Sequence, residues 1–205
     1  MRGQTTLSRR CFSVYASWYL DAKQKSGKRR RELDVITCFA PLLRWIVHLR
    51  EKETQQMVLV LDATTLGDRW IILSISVVIR SGLIPVAWKV LGGHEKGSRR
   101  PPWEGLLAAL KGCIPTDWQV LVMADRGLYA RWLFQAICAC SWHPFLRINL
   151  GVKARLVSEE TFDWIGRWTP MPGKWWKGSV ACFVCKASRL TCTLLMHWEM
   201  GYEHT

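Results

Sequence analysis

Apolar and polar positions along this chain fall into short blocks of differing period. Met57 to Leu61 is an unbroken apolar run that meets a carboxylate at Asp62 and two hydroxyls at Thr64 and Thr65. A run without polar alternation suits a central strand covered on both faces. That reading makes Asp62 the residue at the strand's carboxyl end. Val120 to Ala124 repeats the pattern and delivers Asp125, followed by Arg126 and Gly127. Trp70 to Val78 and Leu83 to Val90 are apolar and β-branched, with Ser81 and Gly82 between them. With the first run they predict an antiparallel meander.

Helical spacing appears elsewhere. Val35, Ile36, Phe39, Leu42, Leu43, Ile46, Val47 and Leu49 recur at helical intervals with Pro41 inside the pattern, which predicts a kink or two short helices. Pro101 and Pro102 sit where a helix begins, and Trp103 to Leu110 is that helix, closed near Gly112. Tyr129 to Cys140 fits another, with Trp132, Leu133, Ala136, Ile137 and Cys140 on one face, and His143 to Ile148 gives a further short strand. Three strands, helix, strand, helix, strand is the order of a ribonuclease-H-like core. The expected fold is therefore α/β: a mixed sheet of three antiparallel strands then parallel ones, helices on both faces, and the start of a β-rich insertion. Beyond Gly151 the chain is rich in Trp, Gly and Pro, and Ser179–Val184 with Thr191–Met196 read as two hairpin arms around Lys186 to Arg189. The expected divisions are a basic arm and helical segment over 1–50, a core over 51–150, and the start of an inserted or appended β-region over 151–205.

Charge changes the picture most. A formal net charge of +13 favours a polyanionic partner, nucleic acid ahead of an anionic membrane. Residues 1–50 carry eleven Lys or Arg against three Asp or Glu, a net +8, so a quarter of the chain holds more than half of the excess. The densest cluster is Lys23, Lys25, Lys28, Arg29, Arg30 and Arg31, interrupted by Ser26-Gly27. A solvated loop is the plain reading. Contact with DNA phosphates is the functional one, since such clusters gain affinity by releasing condensed counterions. No apolar run reaches the length of a membrane span, and the first twenty residues lack a clean apolar region and cleavage site, so no membrane partner and no signal peptide are expected. Eight cysteines without regular spacing fit a reducing cytoplasm and free thiols. Thirteen tryptophans spread from Trp18 to Trp198 read mainly as packing.

One Asp after a strand is commonly a cap or turn residue. Two after matched apolar runs point instead to a shared site for a hard divalent cation, because carboxylate oxygens suit Mg²⁺.

With both aspartates and the strand order in view, the chain resembles the DDE transposases of bacterial insertion sequences, whose ribonuclease-H-like core carries a β-rich insertion. The resemblance lies in Leu59 to Leu66, in Ile84 to Val90 with Glu95 to Gly97, and in Ala124 to Tyr129. It implies DNA transposition: cleavage at the element ends and strand transfer, with Asp62 and Asp125 as catalytic acids holding Mg²⁺ or Mn²⁺. It also implies element-end and target DNA as partners, a homodimer in the full-length parent, and a cytoplasmic, nucleoid-associated location in a bacterium. The family's third acid should stand in a pattern Tyr, two residues, Arg, three residues, Glu, six residues, Lys. These 205 residues contain no such pattern. Glu159, Glu160, Asp163, Glu199 and Glu203 are carboxylates in another context. The chain is expected to be a fragment without strand transfer of its own, or a DNA-binding remnant that inhibits an intact transposase.

Cys182, Cys185, Cys192 and His197 offer four possible zinc ligands. Spacing of three along a strand sends the first two sulfurs to opposite faces, which argues against zinc. Cys138 and Cys140 read as core. His94 and His143 have no evident Ser or Cys partner, and no nucleotide-binding or serine-hydrolase motif occurs. Under the resemblance Trp164, Trp168, Trp175 and Trp176 fall where the family handles the DNA end, although packing is the plainer role for each.

Overall fold

The computed structural model describes residues 34–50, 55–80, 82–94, 99–185 and 189–199. The basic cluster Lys23, Lys25, Lys28, Arg29, Arg30 and Arg31 lies outside the described residues, as do Glu95 to Gly97 and Glu203.

Helix α1 (Ile36–Arg50) is followed by strands β1 (Gln56–Leu66), β2 (Trp70–Ile79) and β3 (Gly82–Gly92). Next come α2 (Arg100–Leu110), β4 (Gln119–Ala124), a 3-10 turn over Arg126–Leu128, α3 (Arg131–Cys138) and β5 (His143–Leu146). These five strands form one sheet in the order β3-β2-β1-β4-β5. The β1/β2 and β2/β3 pairs are antiparallel, whereas β1/β4 and β4/β5 are parallel. This is a mixed α/β fold with the strand arrangement of a ribonuclease-H-like core. Parallel neighbours need crossovers, and α2 and α3 supply them.

Among the described residues the sheet is covered on one side. Leu59, Leu61, Leu73, Ile75, Val77, Val120 and Val122 are buried together with Phe39, Leu43 and Ile46 of α1, Trp103, Leu107 and Leu110 of α2, and Leu133 and Ile137 of α3. The opposite face carries Val58, Val60, Ile72, Leu121 and Met123 half-buried, and Asp62, Thr64 and Phe145 exposed. The expectation of helices on both faces therefore holds for one face among the described residues. An apolar run is compatible with burial on two sides but does not supply the second layer; here burial alternates along β1.

Pro41 lies inside α1, which forms a single element rather than two. An interior proline costs about 3 kcal/mol. Burying Phe39, Leu43, Ile46 and Val47 returns roughly 1.5–3 kcal/mol each, so the packed face decides. Between β2 and β3 the register shifts at Ile75/Ser76, where Ile75 faces Ala87 and Ser76 faces Pro85. The extra residue, Val86, and Ala87 are both buried. A proline with no amide to donate is accommodated at such a bulge.

Strands β6 (Lys153–Leu156), β7 (Asp163–Trp164), β8 (Trp175–Cys182) and β9 (Leu190–His197) form a second, antiparallel sheet in the order β7-β6-β8-β9. The β8/β9 pair is the expected hairpin, running from Trp175↔His197 to Cys182↔Leu190. Its small core holds Ala154, Ile165, Val180, Cys182, Leu194 and Met196. No described helix is long and apolar enough to cross a membrane.

Candidate functional site

Register places the two aspartates side by side. The parallel ladders end at Leu61↔Ala124 and Ala124↔Leu146, so the next residue on each of three adjacent strands is Asp62, Asp125 and Arg147. The amide of Arg147 donates to the Ala124 carbonyl at 2.9 Å, extending the β4/β5 pairing by one bond and fixing the third member of the row. Leu61 and Ala124 face the helices, so with alternating side chains the following residues turn to the uncovered face. Asp62 and Asp125 both line an open cleft of about 1160 Å³ that runs from this face to the second sheet.

Asp62 is not the last residue of its strand. β1 continues to Leu66, with Asp62 opposite Ser74 and Leu66 opposite Trp70. The sequence places the end of the apolar run correctly, but the β-branched β2 partners β1 for another four residues. What ends at Asp62 is the parallel pairing with β4. The Thr64 hydroxyl, two residues on along the same face, donates to Asp62 Oδ2 at 2.5 Å. Ser74 and Ser76 line the same cleft.

Asp125 precedes the 3-10 turn, in extended backbone, and its side chain makes no capping hydrogen bond. The turn is closed instead by the Leu128 amide donating to the Asp125 main-chain carbonyl at 2.9 Å. The carboxylate is therefore spared the commonest structural duty of such a residue. Its partner is the Arg147 guanidinium, Nη1 to Oδ1 at 3.4 Å, with both side chains about two-thirds exposed. Sequence reasoning missed Arg147, and the available signal was its place at the end of the β5 run.

The remaining acids are elsewhere. Asp163 accepts from the Trp164 amide at 2.8 Å and from Arg167 Nη1 at 2.9 Å. The Trp164 amide, with the Arg167 bond and the Arg167 and Lys153 charges, holds its carboxyl below the usual range against an opposing desolvation. Among the described residues no three of His, Cys, Asp and Glu converge as a metal cage. Two carboxylates, a threonine hydroxyl and nearby serines make a set of hard oxygen donors, suited to Mg²⁺ or Mn²⁺ rather than to zinc.

The Cys182, Cys185, Cys192 and His197 grouping does not form a cage. Cys182 is buried, Cys185 exposed, and His197 is stacked on Trp175 with centroids 4.2 Å apart. Cys182 and Cys192 do meet, their sulfurs 3.8 Å apart. That hydrogen bond, with burial behind it, pushes the Cys182 thiol up; the same bond draws Cys192 down against the opposing effect of burial. Cys138, expected in the core, is exposed at the end of α3. The four tryptophans of the second sheet divide in two. Trp168 and Trp176 pack on each other and on the small core, while Trp164, under the Lys153 amine at 4.6 Å, and Trp175 are exposed.

No family model matches the chain, and no curated protein matches it. Among solved structures, the Mos1 Strand Transfer Complex is similar over 66% of this chain and 49% of that one, at 12% identity and a TM-score of 0.30. The chain thus spans about half the length of that protein.

Proposed function

We propose that the described residues are the phosphoryl-transfer core of a DNA transposase of the bacterial insertion-sequence type, with Asp62 and Asp125 as its metal-holding carboxylates. The observation that carries the reading is the register: two acids from separate strands, adjacent, on the face that no described helix covers, neither used as a cap. Phosphoryl transfer between nucleic-acid strands asks a protein mainly for positioning and charge stabilisation. Bound there, Mg²⁺ or Mn²⁺ would neutralise charge on the scissile phosphate and lower the pKa of its water. Thr64 holds one Asp62 oxygen in place, and Arg126 and Arg147 add positive charge to the same cleft. A chain of net charge +13 brings the polyanion there. Element-end and target DNA are the proposed partners, and pairing of two ends would require a dimer.

The donor set fits one such ion. It is short of what two-ion, in-line displacement requires, because among the described residues no third carboxylate joins the pair. This favours a second reading, in which the chain binds DNA and metal without strand transfer and acts as an inhibitor of an intact transposase.

The test is DNA binding by fluorescence anisotropy across a salt series, on the parent and Asp62→Asn. Both readings require affinity that falls steeply with salt and a variant that binds DNA as well or better, since a negative charge is lost. An affinity indifferent to salt overturns both. A joined product from an end-duplex and target in Mg²⁺ would select the first reading over the second.

A further inference from the structure

Arg147 stands third in the row Asp62, Asp125, Arg147 across β1, β4 and β5. Its backbone is anchored by the 2.9 Å bond to Ala124, whereas its side chain makes one long contact, 3.4 Å, to one Asp125 oxygen. A guanidinium offers five donors in a fork made for two-point recognition of carboxylate or phosphate. Here a single donor engages a single oxygen, in the open, on the wall of the cleft. The backbone is tied to β4, whereas the exposed ion pair is readily exchanged.

We infer that Arg147 is an exchangeable counter-ion: it occupies Asp125 while the cleft is empty of nucleic acid and transfers to a backbone phosphate when DNA enters, releasing Asp125 for a divalent cation. This rests on the reading of Asp62 and Asp125 as a cation site. A cation approaching Asp125 meets the guanidinium charge held at Oδ1, so the pair lowers cation affinity in the absence of DNA. A phosphate diester removes that competition, because its two free oxygens match the fork that the present contact leaves largely unused. Cation and DNA therefore bind with positive coupling, and the coupling is reciprocal. Arg147 is a positioning residue in this scheme.

The experiment is a Mn²⁺ titration read by electron paramagnetic resonance on the full chain, with and without a short DNA duplex, correcting for Mn²⁺ held by duplex alone. Arg147→Gln should bind Mn²⁺ about five-fold tighter than the parent without DNA, the scale of one exposed ion pair. Arg147→Lys, which retains the charge, should stay near the parent. Arg126→Gln removes the same charge from the same cleft without touching Asp125, and should change Mn²⁺ affinity less. Adding duplex should tighten the parent towards the Arg147→Gln value and leave that variant nearly unmoved. A folding defect cannot imitate a gain in affinity. Equal or weaker Mn²⁺ binding by Arg147→Gln, or a gain matched by Arg126→Gln, overturns the counter-ion role while leaving the cation site intact. Absence of any Mn²⁺ signal that Asp62→Asn abolishes removes the site itself, and this inference with it.

Discussion

Leu61 and Val60 are neighbours in β1 that turn to opposite faces, and truncating each reports which face is covered. Leu61 is 2% exposed, packed with Leu59, Ile75 and Ala124 against the helices. Leu61→Ala removes about three carbons, roughly 2.4 kcal/mol of transfer free energy at ~0.8 per methylene, and leaves a cavity in a layer that cannot collapse freely. A total of about 3–4 kcal/mol follows. Val60 is half-buried on the cleft wall. Val60→Ala removes two carbons, about half of whose area was hidden, and opens no enclosed void, so about 0.8 kcal/mol is expected. Urea unfolding followed by tryptophan fluorescence separates the two, with Trp103 and Trp118 as buried reporters. With a slope near 2 kcal/mol/M, the midpoint should fall by about 1.5–2 M for Leu61→Ala and about 0.4 M for Val60→Ala. Equal losses would mean the Asp62 face is covered in solution, which would close the cleft and refute the account of an open site.

Other expectations follow from single positions. A Cβ on Gly93 would lie 2.3 Å from the Asp68 carbonyl oxygen, a backbone atom that cannot rotate away, so Gly93→Ala should cost about 1–3 kcal/mol in thermal melts. Gly105, exposed within α2, has nothing within 4 Å of such a Cβ, and Gly105→Ala should stabilise by about 0.5–1 kcal/mol. Asp163 has a depressed carboxyl, so its contribution to stability is present above the ordinary carboxylate range and lost as pH falls through its folded value. The melting temperatures of the parent and Asp163→Asn should differ at neutral pH and converge in strong acid; a difference independent of pH would contradict the assignment. Of the paired thiols, Cys192 should alkylate ahead of Cys182 at mildly alkaline pH, read by peptide mass spectrometry.

Much of the core was legible because apolar period and turn chemistry agree. The meander and the β4 strand emerge where the sequence predicts them, and the β8/β9 hairpin closes around the predicted turn with β8 starting four residues before Ser179. The row of acids was legible too, since Asp62 and Asp125 follow matched runs and parallel register aligns the ends of such runs. Three features were not. The length of β1 depends on β2, a partner that local sequence does not specify. One-sided burial depends on what packs across the sheet, and Val58 and Val60 carry no mark of it. Arg147 is an ordinary surface arginine until β5 is registered against β4.

Asp62 and Asp125 are proposed to hold a divalent cation together on the face of the sheet opposite the helices. Mn²⁺ binding to the parent, Asp62→Asn and Asp125→Asn, each verified as folded by its melt, tests it most directly. One site is expected in the parent, lost or at least ten-fold weakened in both variants, because neither carboxylate alone suffices. Binding that survives either substitution undiminished would contradict it.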